Sequence, residues 1–182
     1  SGPQSRGLGD VYKRQNLQDE LTGMHSRRQF KVRYQTDLAR RNGHRQFAVV
    51  IFNLDNLDHI IEQLGHTAAQ SGIRTMGDYI NKHFGTVGGF SMRRRTDQFS
   101  TVLPFSDLEE ARRILEDFTG DFRQNGLIRI ENAARESNPE VPCFEFSISA
   151  GLARGNPDVE LDSIMSFADF NREPIAQFQC NI

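Results

Sequence analysis

Residues 93–104 read Arg-Arg-Arg-Thr-Asp-Gln-Phe-Ser-Thr-Val-Leu-Pro and span the junction of two short segments with the character of β-strands, residues 88–93 and 99–103. The polar step between them, residues 95–98, predicts the tip of a β-hairpin. A hairpin tip that carries a carboxylate, here Asp97, is a suitable place to hold a metal ion or a phosphate, because loops present functional groups while the flanking strands fix their positions. A solvated turn that happens to carry an aspartate is the simpler interpretation of this stretch alone.

The composition sets bounds on the function. The chain has 182 residues, 37% of them hydrophobic, which is a one-domain length with enough apolar side chains for one core. The formal net charge of −2 gives no electrostatic basis for non-specific nucleic-acid binding, and no apolar run is long enough to span a membrane. Cys143 and Cys180 match no metal-ligand spacing and no disulfide framework, so we expect a reducing, cytoplasmic environment.

The pattern of apolar residues predicts one α/β domain. Residues 1–15 are rich in Gly, Ser, Arg and Gln, so we predict a disordered tail, compatible with a cloning origin, before a single domain at residues 16–182. Helices are predicted at residues 26–41, 58–64, 67–83, 108–122 and 161–172, and strands at 47–52, 88–93, 99–103 and 144–152. A further short strand at 126–130 and a polar loop at 131–139 are also indicated. This order predicts a sandwich with a central, mostly antiparallel sheet, in which the apolar strand 47–52 is buried on both faces.

Local signals predict where the helices begin and end. Ser26 is expected to cap the first helix, and Ser106-Asp107 is expected to cap the fourth, with Ser106 and Glu109 forming a capping box. Asn42-Gly43 and Gly65-His66 are expected to end the helices that precede them.

Four separated motifs occur in an informative order. Residues 19–30 read Asp-Glu-Leu-Thr-Gly-Met-His-Ser-Arg-Arg-Gln-Phe, residues 52–57 read Phe-Asn-Leu-Asp-Asn-Leu and precede Gly65-His66, residues 95–99 read Arg-Thr-Asp-Gln-Phe, and residues 146–152 read Phe-Ser-Ile-Ser-Ala-Gly-Leu. In this order they resemble the opening motif, the Asp-x-Asp-x-Phe-Lys segment, the Gly-Gly-Asp/Glu-Glu-Phe signature and the late Ser-x-Gly strand of GGDEF domains, the diguanylate cyclase family. The resemblance implies a nucleotidyl-cyclase-like sandwich with helices flanking the sheet.

The resemblance also implies a chemistry that depends on metal ions. Members of the family condense two GTP molecules to cyclic di-GMP between two domains that meet face to face, with two divalent metal ions. The family's metal positions correspond here to Asn53, Leu54 and Asp97. Because Asn53 replaces a carboxylate, and Mg²⁺ prefers charged oxygen ligands, the resemblance implies a weakened metal site. Asp55 is a nearby carboxylate that could stand in for the missing ligand.

The signature itself departs from the family pattern. Its catalytic positions correspond to Asp97 and Gln98, and Gln98 replaces a glutamate and cannot act as a base. Arg95 and Thr96 replace two glycines that let phosphates approach the hairpin. The nucleotide-site positions implied by the resemblance are Asn53, Leu54, Asn56, Leu57, Ile61, Gln70, Arg95 and Thr96.

Further departures concern nucleotide recognition. Ile61 replaces an Asn that reads guanine and cannot hydrogen-bond a base edge, and Gln70 replaces a second guanine-reading residue, an Asp. Ala176 stands where the family's last helix carries a Lys that contacts the triphosphate. Residues 86–89, Thr-Val-Gly-Gly, replace the Arg-x-x-Asp product-inhibition motif, so no inhibitory site is expected.

The sequence therefore predicts a catalytically inactive GGDEF domain that acts as a regulatory or dimerisation module in bacterial cyclic di-GMP signalling. Its expected partners are another protein or a neighbouring sensory or EAL-type phosphodiesterase domain in a longer multidomain chain, and a homodimer is compatible with this role. GTP binding is expected to be weak or absent. No cofactor is expected, and Mg²⁺ binding is expected only if residual GTP binding exists.

Two alternatives stay open at this point. A weak cyclase or GTP sensor would use Asp97 and Asp55 to hold one metal ion and Arg94 or Arg95 to hold phosphate. A protein-interaction domain would use residues 93–95 as a contact for an acidic partner, whereas a solvated charge cluster is the ordinary interpretation of such a run.

Overall fold

The structure is a computed structural model that describes residues 18–40 and 46–179. Its α-helices are α1 (Arg27–Arg40), α2 (Leu57–Leu64), α3 (His66–Phe84), α4 (Leu108–Asp121), α5 (Leu127–Ser137) and α6 (Leu161–Phe170). Its strands are β1 (Ala48–Leu54), β2 (Phe90–Arg95), β3 (Gln98–Leu103), β4 (Glu145–Arg154) and β5 (Glu173–Gln179). A 3₁₀ turn at Gly85–Val87 follows α3, and a π-helical turn at Phe122–Gly126 joins α4 to α5.

The five strands form one sheet in the order β2-β3-β1-β4-β5, and every pair of neighbours is antiparallel. Strand β1 is central and pairs with β3 on one side and with β4 on the other. In this register Asn53 lies opposite Gln98 on β3 and opposite Ser149 on β4. The sheet therefore places three polar residues side by side at the carboxyl end of β1.

The core confirms the predicted sandwich, because β1 is buried on both faces. Val50 and Phe52 pack with α3 and α4 on one face, while Val49 and Ile51 pack with α1 and α6 on the other. All four side chains are fully buried. Burial of each such side chain stabilises the fold by roughly 1.5–3 kcal/mol. Because the side chains of β1 alternate between the two faces, they hold a helical layer against each face of the sheet.

Two of the predicted helix ends are confirmed. Ser26 Oγ accepts a hydrogen bond from the backbone N of Gln29 at 3.1 Å, and Gln29 Oε1 accepts one from the backbone N of Ser26 at 2.9 Å. This reciprocal pair is a capping box at the start of α1. At the end of α2, Gly65 has a φ of 87°, a conformation that favours glycine, and it turns the chain directly into α3.

The predicted strand at 126–130 and loop at 131–139 are wrong, because this region is helical. Buried residues recur at a spacing of four through Phe122, Gly126, Ile130 and Ala134, which places them on one face of the continuous path through the π-helical turn and α5. The short apolar run after Gly126 has strand character by itself, and only the longer spacing reveals the helix.

Two other local predictions are corrected. Of the two predicted capping residues of α4, Asp107 is the cap, because its Oδ1 accepts a hydrogen bond from the backbone N of Glu110 at 2.9 Å. Ser106 is buried, and the capping box predicted for it with Glu109 is wrong. Helix α6 ends at Phe170 rather than near residue 172, and the strand β5 follows it. Pro174 is compatible with this strand because β5 lies at the edge of the sheet. Ala176 therefore lies in a strand and not in a helix.

Some predictions fall on parts of the chain that the structure leaves out. The tail at residues 1–15 and the helix stop at Asn42-Gly43 lie outside the described residues. Within residues 18–40 and 46–179, every helix is too short or too polar to cross a membrane.

Candidate functional site

Polar side chains from four elements meet at the carboxyl end of β1. They come from the end of β1 and the loop after it, from the β2–β3 hairpin, from β4 and from the end of α6 with the residues that follow. We call this set the strand-end network; its members are Asn53, Asp55, Arg94, Gln98, Ser149, Asp169 and Arg172. The antiparallel register of the sheet and the packing of α6 on β1 and β4 bring these distant positions together.

Gln98 lies at the centre of the strand-end network and is only 1% exposed. Its Nε2 donates to Asn53 Oδ1 at 3.2 Å and to Asp169 Oδ1 at 3.0 Å. Its Oε1 accepts a hydrogen bond from Arg94 NH1 at 2.7 Å. Both ends of the amide are therefore engaged, and Gln98 ties the hairpin to β1 and α6 as a structural residue.

Arg172 closes the other side of the network. Its Nε donates to Asp169 Oδ1 at 2.7 Å, and its NH1 lies 3.1 Å from Asp55 Oδ1 and also donates to Ser149 Oγ. Ser149 Oγ in turn donates to Asp55 Oδ1 at 2.7 Å, and Asn53 Nδ2 donates to the same oxygen at 2.9 Å. One guanidinium thus binds two carboxylates that different segments of the chain supply.

Burial and neighbouring charges shift the pKa values of two charged groups in the network, Asp169 and Arg94. Burial, the largest single influence, would by itself raise the pKa of the Asp169 carboxyl, but it is outweighed by opposing effects that are led by the hydrogen bond and charge of Arg172. Gln98 and Arg94 add to this effect, so the pKa of Asp169 lies below its ordinary value and the carboxylate is ionised. Burial also lowers the pKa of the Arg94 guanidinium, and the nearby charge of Arg95 lowers it further.

A second feature, which we call the α1 cavity, lies beside the hairpin between α1, α2 and α3. It has a volume of about 1140 Å³. Apolar side chains contribute to its lining: Leu21, Leu57, Ile61, Ala69 and Ile73. Basic side chains also contribute: Arg27, Arg28, Lys31 and Arg93. Two acidic side chains, Asp19 and Glu20, also line it, and Asp19 pairs with Arg93. The α1 cavity therefore combines an apolar surface with more basic than acidic side chains, and it differs from the strand-end network in being open.

The chain as a whole can now be compared with known proteins. The family described as "Diguanylate cyclase, GGDEF domain" matches residues 16–172. The chain belongs to the GGDEF domain family. This match confirms the predicted family, and the observed antiparallel sheet with flanking helices confirms the predicted fold class.

Solved structures show the same fold. The GGDEF domain of DgcB from Caulobacter crescentus, in complex with c-di-GMP, has a TM-score of 0.68 and 18% identity over 84% of this chain and 85% of that chain. Diguanylate cyclase SiaD from Pseudomonas aeruginosa, in complex with its activator SiaC, has a TM-score of 0.66 and 17% identity over 92% of this chain and 61% of that chain.

A third solved structure is a multidomain protein. The S helix-GGDEF-EAL part of LapD from Vibrio cholerae, bound to c-di-GMP, has a TM-score of 0.60 and 15% identity over 91% of this chain and 35% of that chain. No curated protein sequence matches this GGDEF domain. At these identities the likeness to solved structures supports a common fold.

The metal positions of the GGDEF family do not fit a divalent ion in this chain. Asn53 is neutral, and both ends of its amide are hydrogen-bonded, to Gln98 and to Asp55. Leu54 is fully buried, and its backbone N donates to the carbonyl of Asp97 at 2.8 Å. Within the described ranges, no cluster of three or more His, Cys, Asp or Glu side chains is placed to hold a metal ion. A two-metal site needs several hard oxygen ligands, and this donor set does not supply them.

Asp97, the acidic residue of the signature, stands apart from the strand-end network. Among the described residues, no side chain or backbone group hydrogen-bonds its carboxylate, which lies at the hairpin tip. Asp55, the other candidate ligand, already carries the contacts of Arg172 and Ser149. The two carboxylates that a one-metal alternative would need are therefore in different environments.

The eight predicted nucleotide-site positions lie in several different environments. Four of them line the α1 cavity: Leu57, Ile61, Gln70 and Thr96. Asn53 belongs to the strand-end network, while Leu54 lies in the core. Asn56 has a structural role, because its Nδ2 donates to the carbonyl of Glu145 at 2.7 Å and its Oδ1 accepts from the backbone N of Ser147 at 3.1 Å.

The arginine run at residues 93–95 is not a uniform charged surface. Arg93 NH2 forms an ion pair with Asp19 Oδ1 at 2.8 Å, and Arg94 points into the strand-end network. Arg95 alone of the three is classed as exposed. An acidic partner that docked on this run would therefore meet Arg95 first, and the other two arginines hold the hairpin in place.

Sequence reasoning missed three members of the strand-end network, namely Ser149, Asp169 and Arg172. Ser149 lies within the motif at residues 146–152, but nothing in the sequence indicates that it shares partners with Asp169. Arg172 has a local partner in Asp169, three positions earlier, but its partner Asp55 lies 117 positions earlier in the chain.

Proposed function

We propose that this GGDEF domain lacks diguanylate cyclase activity and acts as a regulatory or protein-interaction module in cyclic di-GMP signalling. The observation that carries the proposal is the buried Gln98 amide, which is shared between Asn53, Asp169 and Arg94. The family signature has a glutamate at this position. A neutral, fully hydrogen-bonded amide in its place offers neither a base nor a charged ligand.

The chemical argument extends beyond Gln98. Phosphoryl transfer to a 3′-hydroxyl depends on positioning and on charge stabilisation by metal ions. Asn53 removes one charged ligand, and Ile61 removes a hydrogen-bonding group from the α1 cavity. Each missing group typically costs a few kcal/mol of ground-state or transition-state binding, so their combined loss leaves little catalysis to expect.

The proposed regulatory role draws on the proteins that share this fold. SiaD is seen with an activator protein, and LapD combines a GGDEF with an EAL domain. By analogy, this domain would work together with a partner protein, with a neighbouring sensory or EAL-type domain, or as a homodimer. Analogy of fold suggests the class of partner only.

Product analysis tests the loss of turnover. The wild-type chain is incubated overnight with GTP at high protein concentration, once with Mg²⁺ and once with Mn²⁺, and cyclic di-GMP is measured by mass spectrometry. An active GGDEF domain incubated in parallel shows that the assay detects product. We expect no cyclic di-GMP from this chain. Product that rises with protein concentration would refute the proposal.

A second candidate function, a nucleotide sensor without turnover, is favoured by one observation. The α1 cavity is large and has Arg27, Arg28 and Lys31 in its lining, which can attract phosphate groups. Such a sensor would not need the metal positions. Nucleotide binding that persists in EDTA, and that Lys31→Glu weakens, would support it. Binding that disappears in EDTA would argue against it.

A further inference from the structure

Arg172 joins three parts of the fold that are distant in sequence. It contacts Asp55 after β1, Ser149 on β4 and Asp169 on α6. All three contacts converge on one guanidinium whose side chain is 27% exposed. Arg172 therefore lies at the edge of the core, and its partner Asp55, whose side chain is 35% exposed, lies nearer the surface.

The environment of this guanidinium is built from oxygen atoms. Asp55 and Asp169 supply two carboxylate oxygens at 3.1 and 2.7 Å, and Ser149 supplies a hydroxyl. Asn53 completes the surroundings by donating to the same Asp55 oxygen. Carboxylates and a hydroxyl around one cation are the groups that bind hard divalent ions in other proteins, but here the cation is a side chain.

A guanidinium suits this place for a physical reason. Its planar fork can bind two carboxylates at once and is weakly hydrated, whereas Mg²⁺ gives up its water reluctantly and demands near-octahedral geometry. A tethered cation also has a high effective concentration, because it cannot diffuse away. Arg94, 3.7 Å from Asp169 Oδ2, adds a second positive charge on the opposite side.

We propose that Arg172 is a built-in cation that satisfies Asp55 and Asp169 and keeps divalent metal ions away from Asp55, the carboxylate that could otherwise stand in for the ligand missing at Asn53. The inference deepens the proposed function, on which it rests, by naming the residue that makes this end of the sheet independent of metal. The strand-end network keeps its arrangement whether or not Mg²⁺ is present.

Thermal unfolding with and without Mn²⁺ tests the proposal on the full chain. The variants are Arg172→Met, Arg172→Met with Asp55→Asn, and, as a matched control, Arg123→Met at an exposed arginine of the π-helical turn. We expect millimolar Mn²⁺ to leave the melting temperatures of the wild type and of Arg123→Met unchanged. Arg172→Met should melt lower without metal and regain about 2–4 °C with Mn²⁺, because the freed carboxylates then bind the ion. The added Asp55→Asn should abolish that gain.

Two results would overturn the proposal. One is an Arg172→Met variant that folds and shows no response to Mn²⁺. The other is a wild type that Mn²⁺ stabilises in a saturable manner, because the carboxylates would then already be open to metal.

A measurement on the wild type covers the case in which Arg172→Met fails to fold. The Nε–H resonance of Arg172 should be protected from solvent exchange and should be broadened by paramagnetic Mn²⁺ no more than that of Arg123. Selective broadening of the Arg172 resonance would refute the proposal. Failure here is distinguishable from failure of the proposed function, since cyclic di-GMP production by the wild type is measured separately.

Discussion

The strand-end network and the α1 cavity are neighbours, but they depart from the GGDEF family in opposite ways. In the network, side chains of the chain itself satisfy one another, and Gln98 is 1% exposed. In the α1 cavity, about 1140 Å³ stays open, and the departures are three residues of its lining, Ile61, Gln70 and Thr96. The departures in the network affect the stability of the fold, whereas those in the cavity mainly affect recognition. Substitutions in the two regions should therefore have very different costs.

The largest expected effect comes from Gly151→Ala on β4. An added Cβ would overlap the carbonyl oxygen of Ala168, so α6 must move away from the sheet and carry Asp169 with it. We expect a loss of about 3 kcal/mol in the free energy of unfolding, measured by urea denaturation. Gly120→Ala is the matched control, because a Cβ there meets nothing within 4 Å, and it should be neutral or slightly stabilising. Equal effects of the two substitutions would contradict the close packing of α6 on β4.

Gln98→Met removes the central amide of the network at nearly constant volume. Asn53 and Asp169 then lose a donor, and Arg94 loses an acceptor. We expect a cost of about 2 kcal/mol in the free energy of unfolding. Thr96→Ala, at the edge of the α1 cavity, should change stability by less than about 0.5 kcal/mol. If both substitutions are equally mild, the network is not structural and the comparison between the two regions fails.

Much of the fold was predictable because its signals are local. The apolar run of β1 and the Ser26 cap each depend on a few adjacent residues, and both predictions are confirmed. The region around Gly126 was predicted as a strand and a loop, and the edge strand at Pro174 was not predicted. Glycine and proline commonly interrupt regular structure, and the sequence alone does not show the packing that overrides this tendency here. Buried partners, and not intrinsic preference, decide the structure at these positions.

The candidate site was predictable only in part for the same reason. Motif order indicated Asn53 and Gln98, and the sheet register places them opposite each other. Nothing in the sequence shows that Gln98 is buried or that Arg94 points inward. Arg172 depends on contacts between β4, α6 and the end of β1, so only the folded chain reveals its role.

A smaller effect is expected for Ile61→Asn in the α1 cavity. Ile61 is partly buried and packs against the core, so the substitution should cost about 1 kcal/mol in the free energy of unfolding. Metal-dependent GTP binding should stay undetectable by calorimetry, because the strand-end network is unchanged. The appearance of metal-dependent binding in this variant would show that Ile61 alone blocks GTP and that the network does not.

The smallest effect concerns pH. Because the folded pKa of Asp169 is lowered, its stabilising contribution is present above the unfolded pKa and is lost as the pH falls through the folded value. As the pH falls from the ordinary aspartate pKa of 3.8 through the lower folded pKa, the wild type should therefore lose stability more steeply than Asp169→Asn. Thr96→Ala, which removes no titrating group, should follow the wild type. Parallel pH profiles of wild type and Asp169→Asn would show that the carboxylate is not stabilised by Arg172 and Arg94.

Calorimetric titration of the wild-type domain with GTP, first in Mg²⁺ and then in Mn²⁺, tests the central claim most directly. If the strand-end network has replaced the metal site, neither titration shows a metal-dependent heat beyond that of dilution. A saturable one-to-one isotherm that disappears in EDTA would contradict the account. GTP and its metal ion would then bind at the site that, in this account, the hydrogen bonds of Asn53, Gln98 and Arg172 block.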